Sequence, residues 1–298
     1  MPEGSVFARN TTPGEGANEQ LHRRFALANE KRFAPALPIA DWKRDIDELA
    51  GFLHEEGEFL EAARAGVAAR AAEAPTDADG FVAWFEALEE NGPGQNDPLF
   101  PWLAEQASMD EMRWFLTQEV AGEAGFEDLS ALTQVKLPQR PKLEIARNYW
   151  DEMGRGNPKG MHGPLLETLA HRLGLEPRIE TTVWESLALA NTMAGLAANR
   201  RYAYHSVGAL GVIEQTAPSR AALVGKGLKR LGVPAGDRHY FDLHAILDVK
   251  HSDAWNAEAL HPLVEADPLL APAIAEGALM RLECGAACFR RYRRELGL

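Results

Sequence analysis

The sequence predicts an all-α fold, and three observations carry that reading. Apolar residues recur at three- and four-residue intervals in segment after segment. The interruptions are Pro/Gly clusters of the kind that end helices, such as Asn91-Gly92-Pro93-Gly94 and Gly154-Arg155-Gly156-Asn157-Pro158. No alternating, β-branched run joined by a hairpin turn occurs, and no repeat of fixed period is present. About eight to ten helices around a single core are expected.

Taken in order, residues 1–16 read as a flexible leader and 17–298 as one domain. Asn18 to Arg32 is the first helix. Asp41 to Ala72 is a long one, with Leu49, Phe52, Leu53, Phe59, Leu60 and Ala63 at helical spacing. Phe81 to Glu90 is short. Asp110 to Ala124 carries Met112, Phe115, Leu116 and Val120, and a connector from Phe126 to Leu137 follows. Lys142 to Met153 is helical, and Pro158 suits the first turn of the next helix, which runs to about Leu173. Val183 to Asn199, Arg201 to Ala217, Ala221 to Leu231, His239 to about Ala259 and Leu269 to Leu296 complete the set.

Composition narrows the function classes. The chain has 298 residues, 46% hydrophobic and 25% charged, enough for a large core. A net charge of −13 opposes phosphate backbones, so no nucleic acid partner is expected. The cluster Arg290, Arg291, Arg293 and Arg294 closes the last helix and complements its dipole. Two cysteines, Cys284 and Cys288, are too few for a disulfide framework or a thiolate zinc site and read as small buried hydrophobes. There is no signal-peptide pattern and no apolar stretch long enough for a bilayer. The expectation is a cytoplasmic protein without a membrane partner, with a homodimer left open.

The chemistry-bearing residues lie on four apolar-flanked segments. His244, Asp248 and His251 occupy i, i+4 and i+7 of one helix, within about 60° of one another. Glu119 shares a face with Phe115 and Leu116. Glu152 is followed ten residues later by His162, and Glu214 is the first acid on the helix of Ser206-Val207-Gly208-Ala209-Leu210-Gly211-Val212-Ile213. An isolated carboxylate in apolar surroundings needs a cation, a hydrogen-bonding network or a proton. Four carboxylates and three imidazoles would balance two divalent cations, and oxygen and nitrogen donors suit iron or manganese. Asp151 competes with Glu152 for the same role, while His205, Glu123 and Asp242 fit the pattern less well. Solvated or ion-paired helix faces are the plain alternative for each residue. Periodicity assigns no catalytic side chain beyond the candidate ligands. It places no substrate-binding residue either, because Arg147, Arg200 and Arg201 read equally as surface cations.

The ordered set Glu119, Asp151-Glu152-Met153-Gly154-Arg155-Gly156 with His162, Glu214, and His244, Asp248, His251 resembles the haem-oxygenase-like diiron oxidases and oxygenases, the iron-containing redox enzymes. The resemblance spans about residues 100–260. It implies a haem-oxygenase-like helical bundle and two Fe(II) ions per chain held by Glu119, Glu152, His162, Glu214, His244, Asp248 and His251. It also implies O2 as co-substrate, activated through a peroxo intermediate. Members N-oxygenate amines, cleave C–C bonds of amino acids or decarboxylate oxidatively, so the implied partner is a small-molecule substrate, an amino acid or other carboxylic acid. Two other classes stand beside this one: a non-catalytic metal-binding or redox-sensing protein, and a metal-free helical enzyme on the same fold.

Overall fold

The computed structural model describes residues 15–38, 41–123 and 125–298. Most of the expected leader lies outside the described residues, but Glu15 and Gly16 belong to the first helix rather than to a loop. Fourteen α-helical segments follow one another: α1 Glu15–Phe33, α2 Trp42–Ala71, α3 Ala78–Glu86, α4 Leu88–Asn91, α5 Leu99–Glu105, α6 Met109–Gly122 and α7 Phe126–Thr133. The second half holds α8 Gln139–Glu152, α9 His162–Leu173, α10 Trp184–Ala198, α11 Ala203–Arg230, α12 His239–Trp255, α13 His261–Ala266 and α14 Ala271–Leu296. Among the described residues there is no β-strand, only an isolated antiparallel bridge between Met153 and Met161. No described helix is long and apolar enough to cross a membrane.

The element boundaries depart from the sequence expectation in several places. The segment expected to be a connector after Phe126 folds as α7, because Leu129 is buried and Phe126 packs against the core. Leu99–Glu105 forms a helix that was not expected, short but with Leu99, Phe100 and Leu103 all buried. Pro158 opens a single 3-10 turn, and α9 starts only at His162, because the Met153–Met161 bridge holds Met161 extended. The two helices expected on either side of Pro218 are one helix, α11. A proline inside a helix costs about 3 kcal/mol, and α11 outweighs it by packing on α5, α12 and α14 at once. The helically spaced apolar set expected on α2 divides: Leu60 is buried, while Leu49 and Leu53 are exposed.

α11 is the central element. Its residues His205, Ser206, Val207, Gly208, Ala209, Leu210, Gly211 and Val212 are buried in succession, so it is surrounded rather than faced on one side. The approach to α14 is set by glycines on both partners. A Cβ on Gly208 would lie 1.9 Å from the Ile274 carbonyl oxygen, and a Cβ on Gly277 would lie 1.9 Å from the His205 carbonyl oxygen. Gly211 leaves room for the Trp255 indole, which donates to the Val207 carbonyl at 3.2 Å and so pins the end of α12 to α11. The buried apolar residues form two clusters, one around α2, α10, α11 and α14 and one around α5, α6, α9 and the end of α14, with Leu189 packed against both. A cavity lies where the two meet, lined by Leu189 and Ile213 on one side and Leu116, Leu166 and Phe289 on the other.

The closing cluster of basic residues does more than complement a dipole. Arg293 pairs with Asp97, and Arg291 with Glu295 at 2.9 Å. Both cysteines are free; Cys288 is buried and Cys284 half-buried.

The reciprocal glycine contact makes a direct prediction. Gly208→Ala or Gly277→Ala should lower unfolding stability by about 1–3 kcal/mol or more through overpacking, read from urea denaturation. Gly51→Ala, where a Cβ would meet nothing within 4 Å, should be neutral or stabilising by up to about 1 kcal/mol.

Candidate metal centre

The loop between α8 and α9 makes neighbours of two residues ten positions apart. Glu152 ends α8 and His162 begins α9, one step outside each end of the Met153–Met161 bridge. The loop closes because Gly154 takes φ +60° and lies so near Gly160 that a Cβ would meet its carbonyl carbon at 2.5 Å. His162 Nδ1 then lies 2.8 Å from Glu152 Oε2. It also lies 3.0 Å from His244 Nε2, delivered by α12. The His244 Nδ1–H donates to the Tyr240 carbonyl at 2.7 Å, one turn earlier, which leaves Nε2 as a bare lone pair aimed at the group.

A second group shares Glu152. Glu214 of α11 and His251 of α12 bring donor atoms within 4.8 Å of one another and of Glu152. Asn148, one turn before Glu152 on α8, donates to Glu214 Oε1 at 2.6 Å. His251 Nε2–H donates to Asp151 Oδ2 at 3.1 Å, and Arg155 donates to the other Asp151 oxygen at 2.5 Å. His251 Nδ1 faces Glu214 Oε2 at 3.4 Å, outside hydrogen-bonding geometry, so that nitrogen is buried without a hydrogen-bond partner. Asp248 Oδ1, on the same face of α12, is likewise buried and unpartnered.

Of the seven residues singled out in the sequence, Glu152, His162, His244, Glu214 and His251 thus fall into two groups able to hold a metal ion. Asp248 belongs to neither group, but the charges of Glu214 and Glu152 act on it directly. Glu119 stands apart. It lines the same cavity and accepts from the Tyr292 hydroxyl at 2.8 Å, with Ser186 Oγ 2.8 Å from that hydroxyl. Glu152, not Asp151, enters the groups, and Asp151 instead orients His251. His205 pairs with Glu276 at 2.8 Å, and Asp242 with Arg238 at 3.0 Å. Arg147 pairs with Glu144, Arg200 caps the carbonyls of Leu132, Thr133 and Val135, and Arg201 pairs with Glu61.

Sequence reasoning missed Asn148, Tyr240, Tyr292, Arg220 and Arg281, all beside the site or on its cavity. Asn148 and Tyr240 had a local signal, since each lies one helical turn from a singled-out residue, Glu152 and His244. Tyr292, Arg220 and Arg281 had none.

The electrostatics follow from burying so many like charges. Burial first, and then the charge of Glu214, holds the Glu152 carboxyl well above the usual range. Asp248 is raised well above it by burial, then by Glu214 and Glu152. Burial lowers His162 to about 4, with the charge of His251 adding to it. His244 falls to about 4 by burial, then by His162. For His251 burial acts downward, but Glu214 and then Asp151 outweigh it and raise the ring to about 9. Glu119 is raised by burial against the Tyr292 hydrogen bond and the charges of Arg281 and Arg220.

A helical scaffold that gathers buried acids and imidazoles in this way has the donors to hold a metal ion. The family described as iron-containing redox enzymes matches residues 113–286, more than half of the chain, and the protein belongs to that family. No curated relative matches the sequence.

Two predictions follow from this geometry. In metal-free protein the His251 ring should titrate near 9. A raised imidazolium pKa stabilises the fold fully below the ordinary 6.5 and progressively less as pH rises through 9. Asp151→Asn should move that titration down by about one unit or more, seen by NMR of the ring protons; an unmoved titration would show that Asp151 does not set the charge. Gly154→Ala should strain the loop by about 1–3 kcal/mol and part Glu152 from His162, lowering iron uptake while circular dichroism stays near wild type.

Proposed function

We propose that the protein is a non-haem diiron enzyme that uses O2 to oxidise an amino acid or other small carboxylate. The observation that carries this reading is Glu152 shared between two groups, one completed by His162 and His244 and the other by Glu214 and His251. The donor chemistry supports it: nitrogen and carboxylate oxygen without thiolate suit iron. The unpartnered Asp248 Oδ1 is a buried acceptor that a cation would satisfy, and His251 Nδ1 becomes one once it gives up its proton. In this reading Glu152, His162 and His244 hold one ion and Glu152, Glu214 and His251 the other, with Asp248 and Glu119 completing the set.

The irons, when bound, supply the electrons that reduce dioxygen. The chain's own residues do the rest. The Tyr240 carbonyl and the Asp151 carboxylate each hold one ring nitrogen of His244 and His251, so that the opposite nitrogen is presented to the site. Asn148 fixes Glu214, and Tyr292 fixes Glu119. The cavity, about 420 Å³ and walled by residues such as Phe115, Leu116 and Phe241, accommodates a small organic molecule beside the metal-binding groups. The proton that His251 carries at neutral pH leaves from Nδ1 when that atom binds a cation.

Anaerobic titration should therefore approach two Fe(II) per chain and release protons. Affinity should rise up to about tenfold per pH unit between 7 and 9, as His251 gives up its proton; calorimetry in buffers of different ionisation enthalpy reads both. His162→Ala and His244→Ala should lose iron and oxidation with helix content retained, while His205→Ala should retain both. A folded protein that takes up no iron would end the diiron reading. Iron uptake without O2 consumption on addition of small carboxylates would favour a metal carrier or sensor over an enzyme.

A further inference from the structure

The cavity contains two buried or half-buried cations that the metal centre does not use. Arg220 of α11 and Arg281 of α14 both line it. Neither has a carboxylate within ion-pairing distance among the described residues. Arg220 is held by neutral acceptors, donating to Gln95 Oε1 at 3.2 Å and to Thr216 Oγ1 at 3.1 Å, and lies over the rings of Phe100 and Phe289. Arg281 Nε is buried without a hydrogen-bond partner. Its guanidinium folds over Gly285, where a Cβ would come within 2.9 Å of Nη1. The absence of a side chain there is what gives the guanidinium its place.

Two guanidiniums facing one cavity repel each other, and removing them from water is costly unless an anion is shared between them. Burial, then the neighbouring Arg281 charge, pulls Arg220 down to about 9, with Glu119 opposing. Glu119 and Glu123 act on these cations through their charge alone, and Glu119 accepts its hydrogen bond from Tyr292 instead. The arginine forks match a carboxylate with paired N–H donors. Along α11, Arg220 is six residues beyond Glu214, a rise of about 9 Å at 1.5 Å per residue. An acid of medium length spans that distance through the apolar wall of Leu116, Val224 and Phe241.

We propose that Arg220 and Arg281 are the seat of the substrate carboxylate, so that the molecule oxidised is an organic acid bound with its carboxylate at the arginines and its chain directed toward Glu152 and Glu214. The proposal rests on the diiron reading for the fate of that chain, but the binding step itself needs no metal. Glu123 on the same cavity wall, outside the proposed ligand set, offers a place for an ammonium if the acid is an amino acid.

Calorimetry with octanoate, 2-aminooctanoate and octanamide tests the seat, in metal-free protein and in protein loaded anaerobically with Fe(II). At least one of the two acids should bind wild type ten times or more tightly than the amide in both states. Preference for octanoate assigns an apolar acid, and preference for 2-aminooctanoate an amino acid. Arg281→Gln should erase the preference for acid over amide, and Arg281→Lys should keep part of it. Among the described residues Arg281 makes no hydrogen bond that either change would break, and circular dichroism verifies the fold of both. Equal binding of acid and amide, binding of neither acid, or a preference that survives in Arg281→Gln overturns the proposal. Iron content of the same preparations is read separately, so loss of the seat and loss of the metal centre are distinguishable.

Discussion

The structure turns on the confinement of Glu152, Glu214 and Asp248 in one low-dielectric space. Burial raises the proton affinity of Glu152 and Asp248, the charge of Glu214 raises both further, and Glu152 adds to the effect on Asp248. Such an arrangement persists only if protons, cations or hydrogen-bond donors balance it. Asn148 and His251 supply part of that balance, and the unpartnered oxygen of Asp248 shows where it is incomplete. A divalent cation satisfies the remainder more completely than a proton can, because one ion is shared among several oxygen and nitrogen atoms.

The scaffold is built to hold those groups still. α11 is buried along most of its first half and locked to α14 by glycines that allow backbones to touch. Trp255 ties the far end of α12 to the same helix. The imidazoles of α12 are in turn fixed at their outer nitrogens by a backbone carbonyl and by Asp151. Rigid placement of this kind is what lets side chains from four helices meet at one point, whereas loops would leave them too loose.

Much of the helical architecture was readable from periodicity. Helix positions were recognised because 3.6-residue spacing of apolar residues is a local property. Its failures also have local causes. Pro218 has the same helix-breaking chemistry anywhere, and only the packing of α11 on three neighbours decides that the helix runs through it. Leu49 and Leu53 belong to a stripe with Leu60, yet nothing in α2 itself says where its neighbours end.

For the site, the sequence by itself determined which acids and imidazoles lie on apolar helix faces, and the ordered set was specific enough to resemble a family that the matched residues then established. It did not decide between Asp151 and Glu152, because adjacent residues on a helix differ by about 100° and the choice depends on where the partner helices stand. Tertiary structure decided that through the Met153–Met161 bridge, which joins Glu152 to His162 and leaves Asp151 to hold His251 from behind. It likewise decided that Arg220 and Arg281, 61 residues apart in the chain, face one cavity while Arg147, Arg200 and Arg201 do not. Charge and polarity are written in each residue, but the electrostatic field at a buried point is a sum over groups that only the fold brings within reach.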